Sequence, residues 1–227
     1  EGIPSGLPVD LIALQDFMKR RAPGQNPWST SRKEADIPEF QSGISNGVTN
    51  GETISAIIHN TNTRSGDYEN LKICPRPGHA DYAAQVKYGG AQNVAGGGRF
   101  SGRLTAPMCI AGGLCKQWLA EMGIQIGAHI ASIAHAQDDS FNPIHPSLSA
   151  VLEDFPVLNP DVGDAMKWII SEAQKEGDSV GGTIECAVTG IPAGLGGPLF
   201  DGIEGHIAQI IYSIPAVKSL TFGEILP

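Results

Sequence analysis

Residues 73–107 constrain this chain more than any other stretch, because they combine many glycines and prolines with basic side chains. Glycine permits positive φ and close approach of the backbone to a ligand, whereas proline removes a donor and stiffens turns. This composition predicts a rigid loop, rather than a core strand or helix, that presents charge to a small anionic molecule. A long surface loop with solvated arginines is the alternative that composition leaves open. The polar and charged side chains of the stretch include Arg76, His79, Asp81, Lys87, Arg99, Ser101 and Arg103.

Positive charge is unevenly distributed along the sequence. The 227 residues carry a net charge of −9, which disfavours a nucleic acid or an anionic membrane as partner. Nevertheless, all of the arginines lie at or before Arg103. An acidic protein that collects its guanidinium groups in one half of the sequence is expected to use some of them on an anionic ligand. Simple sequence bias is the competing explanation.

Length and cysteine content indicate a globular protein with reduced thiols. The chain is long enough for one large domain or two small ones with a buried core. No apolar run reaches membrane-spanning length, and no signal peptide opens the sequence. The cysteines have neither zinc-ligand spacing nor a dense secreted pattern, so a cytoplasmic location fits best. They are Cys74, Cys109, Cys115 and Cys186.

Apolar periodicity, caps and breakers predict a mixture of helices and strands. In the second helix, Gly112 and Gly113 indicate close packing or a bend, and Gly123 is expected just beyond its C-terminus. Polar, turn-rich segments are expected at 25–50, 61–72 and 136–160. Helices are predicted at 8–21, 104–122, 161–176 and 201–213, and strands at 52–59, 124–134, 180–188 and 217–222.

A short motif occurs twice, as Gly-Ile-Pro-Ser-Gly-Leu at residues 2–7 and Gly-Ile-Pro-Ala-Gly-Leu at residues 190–195. Each copy precedes a predicted amphipathic helix, so one supersecondary module is expected to be used twice. A predicted strand runs directly into the second copy. By analogy a strand should precede the first copy, and the chain is therefore expected to be truncated at its N-terminus.

The glycine-rich part of the central stretch can be compared with a nucleotide-binding loop. Gly97 and Gly102 have the spacing of that loop, but Arg103-Leu104 follows in place of Lys-Ser/Thr, so the match is weak. What remains is an anion site at the start of the following helix, beside Arg99 and Arg103. His79 is suited to proton transfer in such a setting, although a structural histidine bonded to backbone is the alternative.

The same stretch resembles the chorismate synthase family. The residues that carry the resemblance are Arg-Pro-Gly-His-Ala-Asp-Tyr at 76–82, Lys-Tyr-Gly at 87–89 and Gly-Gly-Arg-Phe-Ser-Gly-Arg-Leu-Thr-Ala at 97–106. Further matches are Arg-Arg-Ala-Pro-Gly-Gln at 20–25, Gly-Asp-Ser-Val-Gly-Gly at 177–182 and Gly-Leu-Gly-Gly-Pro-Leu-Phe-Asp at 194–201. These segments occur in the family's order and cover nearly the whole chain.

This resemblance implies an α+β fold, internally duplicated, with helices sandwiched between antiparallel sheets and assembled as a homotetramer. Residues 1–227 are then expected to form a single domain. That domain would lack the family's N-terminal strand with its histidine motif and the C-terminal segment that supplies much of the flavin site.

The implied activity is a 1,4-anti elimination of phosphate from 5-enolpyruvylshikimate 3-phosphate to give chorismate in the shikimate pathway. The family requires reduced FMN although the reaction has no net redox change. His79 is implied as the acid that protonates the reduced flavin. The resemblance assigns substrate binding to Arg21, Arg32, Arg76, Ser101 and Arg103, and cofactor binding to Ser101, Gly102 and Arg103.

The sequence departs from the family's pattern at a few positions. Many members have Ser-Ser-Ala-Arg-Glu-Thr where this chain has Phe-Ser-Gly-Arg-Leu-Thr at residues 100–105, which indicates a subgroup variant, and Gly197 replaces a usual Glu. Two alternatives to an active enzyme stay open. One is a catalytically inactive, anion-binding fragment of the same fold, and the other is a nucleotide binder with a P-loop-like segment.

Overall fold

The computed structural model describes residues 1–29, 34–60, 70–71, 73–148 and 154–223. Its helices are α1 (Leu11–Arg21), α2 (Asp81–Tyr88), α3 (Thr105–Glu121), α4 (Pro160–Lys175) and α5 (Ile203–Ile211). Its strands are β1 (Pro38–Ser42), β2 (Ile44–Ser45), β3 (Val48–Thr49), β4 (Ser55–Ile58), β5 (Gln125–Ile133), β6 (Ala136–Gln137) and β7 (Gly182–Thr189). Short 3₁₀ helices occupy Ala95–Phe100, Gly102–Leu104 and Leu199–Asp201.

Helices α1 and α3 form the centre of the hydrophobic core. Leu14 and Met18 of α1 are buried against Ile110 and Leu114 of α3. Gly113 lets the two helices approach closely, because a Cβ atom there would lie 2.5 Å from Leu14 Cδ1. Of the two interpretations of the glycine pair, close packing is therefore confirmed at Gly113.

The first helix begins later than the sequence predicted. Asp10 is its N-cap and accepts the backbone N–H groups of Ile12 and Ala13, each at 2.9 Å. Pro8 instead forms an isolated antiparallel bridge with Val48. The predicted start at residue 8 was wrong, because the carboxylate cap fixes the first turn at Leu11.

The segment 25–50 was predicted to be irregular, but it contains the short strands β1, β2 and β3. Strand β1 pairs with β4, and β2 pairs with β3, all antiparallel. Phe40 and Ile44 pack against the α1–α3 core, so tertiary burial stabilises short strands whose local pattern is weak. Strand β4 confirms the strand predicted at 52–59, with tighter bounds.

A second antiparallel sheet has the order β6-β5-β7. Strand β5 contacts α3 and also α4, whereas β1 and β4 pack against the α1–α3 core, so α3 lies between the two sheets. The α+β arrangement of helices between antiparallel sheets is thus confirmed. Helices predicted at 104–122 and 161–176 and strands predicted at 124–134 and 180–188 are confirmed, with small changes at their ends.

Two other predictions of secondary structure were wrong. The stretch 73–107 is not loop alone, since α2 occupies 81–88 with Asp81 in its first turn. Gly89 ends it in the left-handed conformation, with φ 58°. At the other end of the chain, residues 217–222 pair with no strand among the described residues, so the predicted last strand is absent there. The loop predicted at 61–72 lies almost entirely outside the described residues.

The two glycines of the repeated motif have positive φ in both copies. Gly2 and Gly6 have φ of 90° and 88°, and Gly190 and Gly194 have φ of 78° and 88°. These left-handed values explain why glycine recurs at both positions. Helical segments follow both copies, and β7 ends immediately before the second, as a duplicated module predicts.

Candidate anion-binding site

The end of α1 meets the start of α3 through Arg21. Its Nε donates to Thr105 Oγ1 at 3.3 Å, and that hydroxyl donates in turn to the carbonyl oxygen of Gly102 at 2.7 Å. Ser101 Oγ accepts the backbone N–H of Arg103 at 3.3 Å and so caps the turn before α3. The fold thereby brings Arg21, Ser101, Gly102 and Arg103 together at a helix N-terminus, where the helix dipole favours anions.

Two carboxylates hold these arginines. Arg21 Nη1 donates to Asp36 Oδ2, and Arg103 Nη2 donates to Glu34 Oε2. Arg103 Nη2 also donates to Asn60 Oδ1 at 3.1 Å. Glu34 and Asp36 belong to the segment that leads into β1, and both side chains are almost completely buried. Sequence reasoning missed both acids. The one sequence signal for them is that two negatively charged residues lie two positions apart.

Arg76 and Asp81 form a separate, bidentate ion pair. Arg76 Nε and Nη2 lie 2.8 and 3.0 Å from the two carboxylate oxygens, and the Arg76 backbone N–H adds a third hydrogen bond at 3.1 Å. The hydrogen bond from the Arg76 side chain lowers the pKa of Asp81, against a smaller opposing effect of burial. This pairing connects the loop at 76–80 to the first turn of α2.

His79 is exposed in the turn between Arg76 and α2. Its Nδ1 lies 3.0 Å from the Pro77 carbonyl oxygen. Because a carbonyl only accepts, Nδ1 carries a proton and donates, which leaves Nε2 as the nitrogen that can gain or release one. The hydrogen bond to backbone that was considered as the alternative role of His79 therefore involves Nδ1 and leaves Nε2 available.

The predicted site residues form two groups in the structure. Arg21, Ser101, Gly102 and Arg103 make one, and Arg76 with His79 makes the other. Tyr88 of α2 and Phe100 bring the two segments close, with ring centroids 6.4 Å apart. Arg32 lies outside the described residues.

The described residues contain no cluster of three or more His, Cys, Asp or Glu side chains that could hold a metal ion. Across the same part of the chain, no helix is both long and apolar enough to cross a bilayer.

Beside Arg103, a Cβ atom added to Gly102 would meet no atom within 4 Å. The site thus offers guanidinium groups, a helix N-terminus and open space, which suits an anionic organic ligand.

Comparison with known proteins gives a consistent result. The chorismate synthase family model matches residues 1–226. The chorismate synthase of Lancefieldella parvula is 42% identical, over 98% of this chain and 62% of the relative. That of Korarchaeum cryptofilum is 41% identical, over 98% of this chain and 62% of the relative.

Similarity to a solved structure extends to the fold. A crystal structure of chorismate synthase superposes on this chain with a TM-score of 0.74 at 29% sequence identity. The superposition covers 96% of this chain and 61% of the chain in that structure. The chain therefore spans less than two thirds of the length of the relatives that it matches. Sequence, motif order and fold agree, and this chain belongs to the chorismate synthase family.

Proposed function

We propose that this chain provides the substrate-binding part of a chorismate synthase. This lyase converts 5-enolpyruvylshikimate 3-phosphate to chorismate by a 1,4-anti elimination of phosphate, a step of the shikimate pathway towards the aromatic amino acids. The observation that carries the proposal is the meeting of Arg21 and Arg103 at the N-terminus of α3. In this proposal residues 1–227 act as a single domain in the cytoplasm.

The charge of the substrate suits these residues. A phosphate monoester and two carboxylates carry about four negative charges near neutral pH. Arg21 and Arg103 would bind the anionic groups, and planar guanidinium forks would fix their orientation. Ser101 would add a hydroxyl beside Arg103. Arg76 completes the set from the start of α2, and Arg32 stays a prediction.

The residues near α3 also fit the cofactor that the family uses. Gly102 has open space on its side-chain side, and Arg103 places a cation next to it. Ser101, Gly102 and Arg103 would hold reduced FMN through hydroxyl, backbone and guanidinium groups. When bound, reduced FMN supplies an electron-rich ring that assists departure of the phosphate. His79 would hold the transferable proton on Nε2, the nitrogen that its backbone bond leaves available, and release it there.

Exposed apolar side chains favour assembly into the homotetramer that the family forms. Leu199 and Phe200 are 91% and 94% exposed just before α5. Adjacent large apolar side chains at such exposure are typical of surfaces that another chain covers. We expect the isolated chain to self-associate, and a monomer by light scattering at micromolar concentration would contradict this.

The first experiment measures turnover directly. Adding 5-enolpyruvylshikimate 3-phosphate and reduced FMN should produce chorismate absorbance if the chain is active as it stands. Binding of the substrate without turnover would favour the inactive, anion-binding alternative. Response to ATP alone would favour a nucleotide binder.

The second experiment tests the arginines. Arg103→Lys and Arg21→Lys should each weaken substrate binding about tenfold or more, because lysine keeps the charge but lacks the planar fork. Arg20→Lys is the matched control, since Arg20 is an exposed neighbour on the same turn of α1. Calorimetric affinities that respond equally in all three variants would overturn the assignment.

A further inference from the structure

Arg103 cannot offer a bidentate fork in the structure as it stands. A guanidinium has two bidentate edges, one formed by Nε and Nη2 and the other by Nη1 and Nη2, so both need Nη2. In this chain Nη2 already donates to Glu34 Oε2 and to Asn60 Oδ1. A phosphate or carboxylate that binds Arg103 bidentately must therefore displace one of these acceptors.

Glu34 is the acceptor whose position is least well supported. Its side chain is 7% exposed, and its second oxygen, Oε1, is buried without a hydrogen-bond partner in the described part of the chain. A buried carboxylate oxygen without a donor is unfavourable, and water would satisfy it if the side chain moved outward. By contrast, Arg21 is fixed by Thr105 as well as by its own acid, Asp36.

From these contacts we propose that Glu34 is an internal placeholder for the ligand. Its carboxylate accepts the hydrogen bond of Arg103 Nη2 until the anionic group of the ligand displaces it. The inference rests on the proposed function, because it takes Arg103 as a ligand-binding residue. Displacement makes Glu34 a specificity-determining residue, since a ligand must form a stronger contact with Arg103 than the carboxylate does. A doubly charged phosphate meets this condition better than a single carboxylate.

The opposite role is also physically clear and gives the opposite result. If Glu34 instead stayed in place and oriented Arg103 for the ligand, removing its charge would weaken binding. The sign of the change therefore separates a placeholder from a positioning residue.

Calorimetric titration of the whole chain with 5-enolpyruvylshikimate 3-phosphate and with inorganic phosphate tests the inference. Glu34→Gln should increase the affinity for both ligands by about tenfold, which is the affinity equivalent of one charge-assisted hydrogen bond. Glu39→Gln is the matched control, because it removes an exposed negative charge on β1 that contacts His59 and Gln41 but no arginine among the described residues. That control should change affinity less than twofold. Unchanged or weaker binding by Glu34→Gln would overturn the placeholder role.

A variant with Arg103→Lys separates failure of this inference from failure of the proposed function. If Arg103→Lys weakens binding while Glu34→Gln does not tighten it, only the placeholder role fails. Unchanged affinity in both variants means that Arg103 is not a ligand-binding residue, and the proposed function loses its support. In the double variant the gain from Glu34→Gln should disappear, because the two residues act through one contact.

Hydrogen exchange tests the same idea in the unaltered chain and does not depend on a variant's folding. Saturating 5-enolpyruvylshikimate 3-phosphate should speed exchange of the backbone amides at 34–37, since the ligand releases the side chain that anchors this segment. Unchanged or slower exchange at these amides upon binding would contradict displacement.

Discussion

Gly112 and Gly113 are adjacent in α3, yet we expect alanine to have opposite effects at the two positions. A Cβ at Gly112 meets nothing within 4 Å, whereas a Cβ at Gly113 lies 2.5 Å from Leu14 Cδ1 and 3.1 Å from Phe17 Cδ1. Leu14 is only 1% exposed, so its side chain is enclosed in the core and cannot relieve the contact by turning into solvent. The pair therefore separates helix propensity from packing within one turn.

The expected magnitudes follow from these two contributions. Replacing glycine by alanine inside a helix stabilises it by about 1 kcal/mol, and Gly112→Ala should show this gain alone. Gly113→Ala has the same gain, but overpacking of the α1–α3 contact costs about 1–3 kcal/mol. We expect a net loss of about 1 kcal/mol at Gly113 and thus a difference of about 2 kcal/mol between the variants.

Urea-induced unfolding, followed by far-UV circular dichroism, measures both free energies under identical conditions. In thermal unfolding the same difference corresponds to roughly 4–8 °C in midpoint for a chain of this size. Two variants of equal stability, or a Gly113→Ala variant more stable than the parent, would refute the close contact between α1 and α3.

The remaining predictions concern single ionisable residues. In a full-length relative, alanine at the position that matches His79 should lower turnover by about 10²–10⁴-fold with little change in substrate affinity. Normal turnover with a lowered melting midpoint would instead show a structural role. Asp138→Ala should destabilise the chain by about 3–5 kcal/mol in urea unfolding, because this fully buried carboxylate bonds to the His129 ring and to two backbone N–H groups; a loss below about 1 kcal/mol would contradict it. Pairing with Arg76 lowers the pKa of Asp81 below its ordinary value of 3.8, so its stabilising effect should be complete above that pH and lost as the pH falls through the lower folded value. The stability difference between the parent and Asp81→Asn should therefore shrink in acid, and a difference independent of pH would exclude the linkage.

Local sequence determined the long elements and the identity of the key motifs. Helix α4 has Asn159 as its N-cap, Pro160 in its first turn and Gly177 beyond its end, and these signals act within a few residues of the chain. Strand β5 likewise follows from the apolar pattern at 124–134. The motif residues Arg76, His79 and Arg103 were identifiable because they occur in a characteristic order, which needs no knowledge of the fold.

Long-range contacts decided the rest. The short strands β1 and β2 form because Phe40 and Ile44 pack against the α1–α3 core, and no local pattern shows that burial. The partners of Arg21 and Arg103 are acids from the segment before β1, and only folding brings those charges within hydrogen-bond distance. Sequence alone thus indicates which residues carry charge, whereas the tertiary structure decides which guanidinium donors are already engaged, because that depends on distances between segments far apart in the chain.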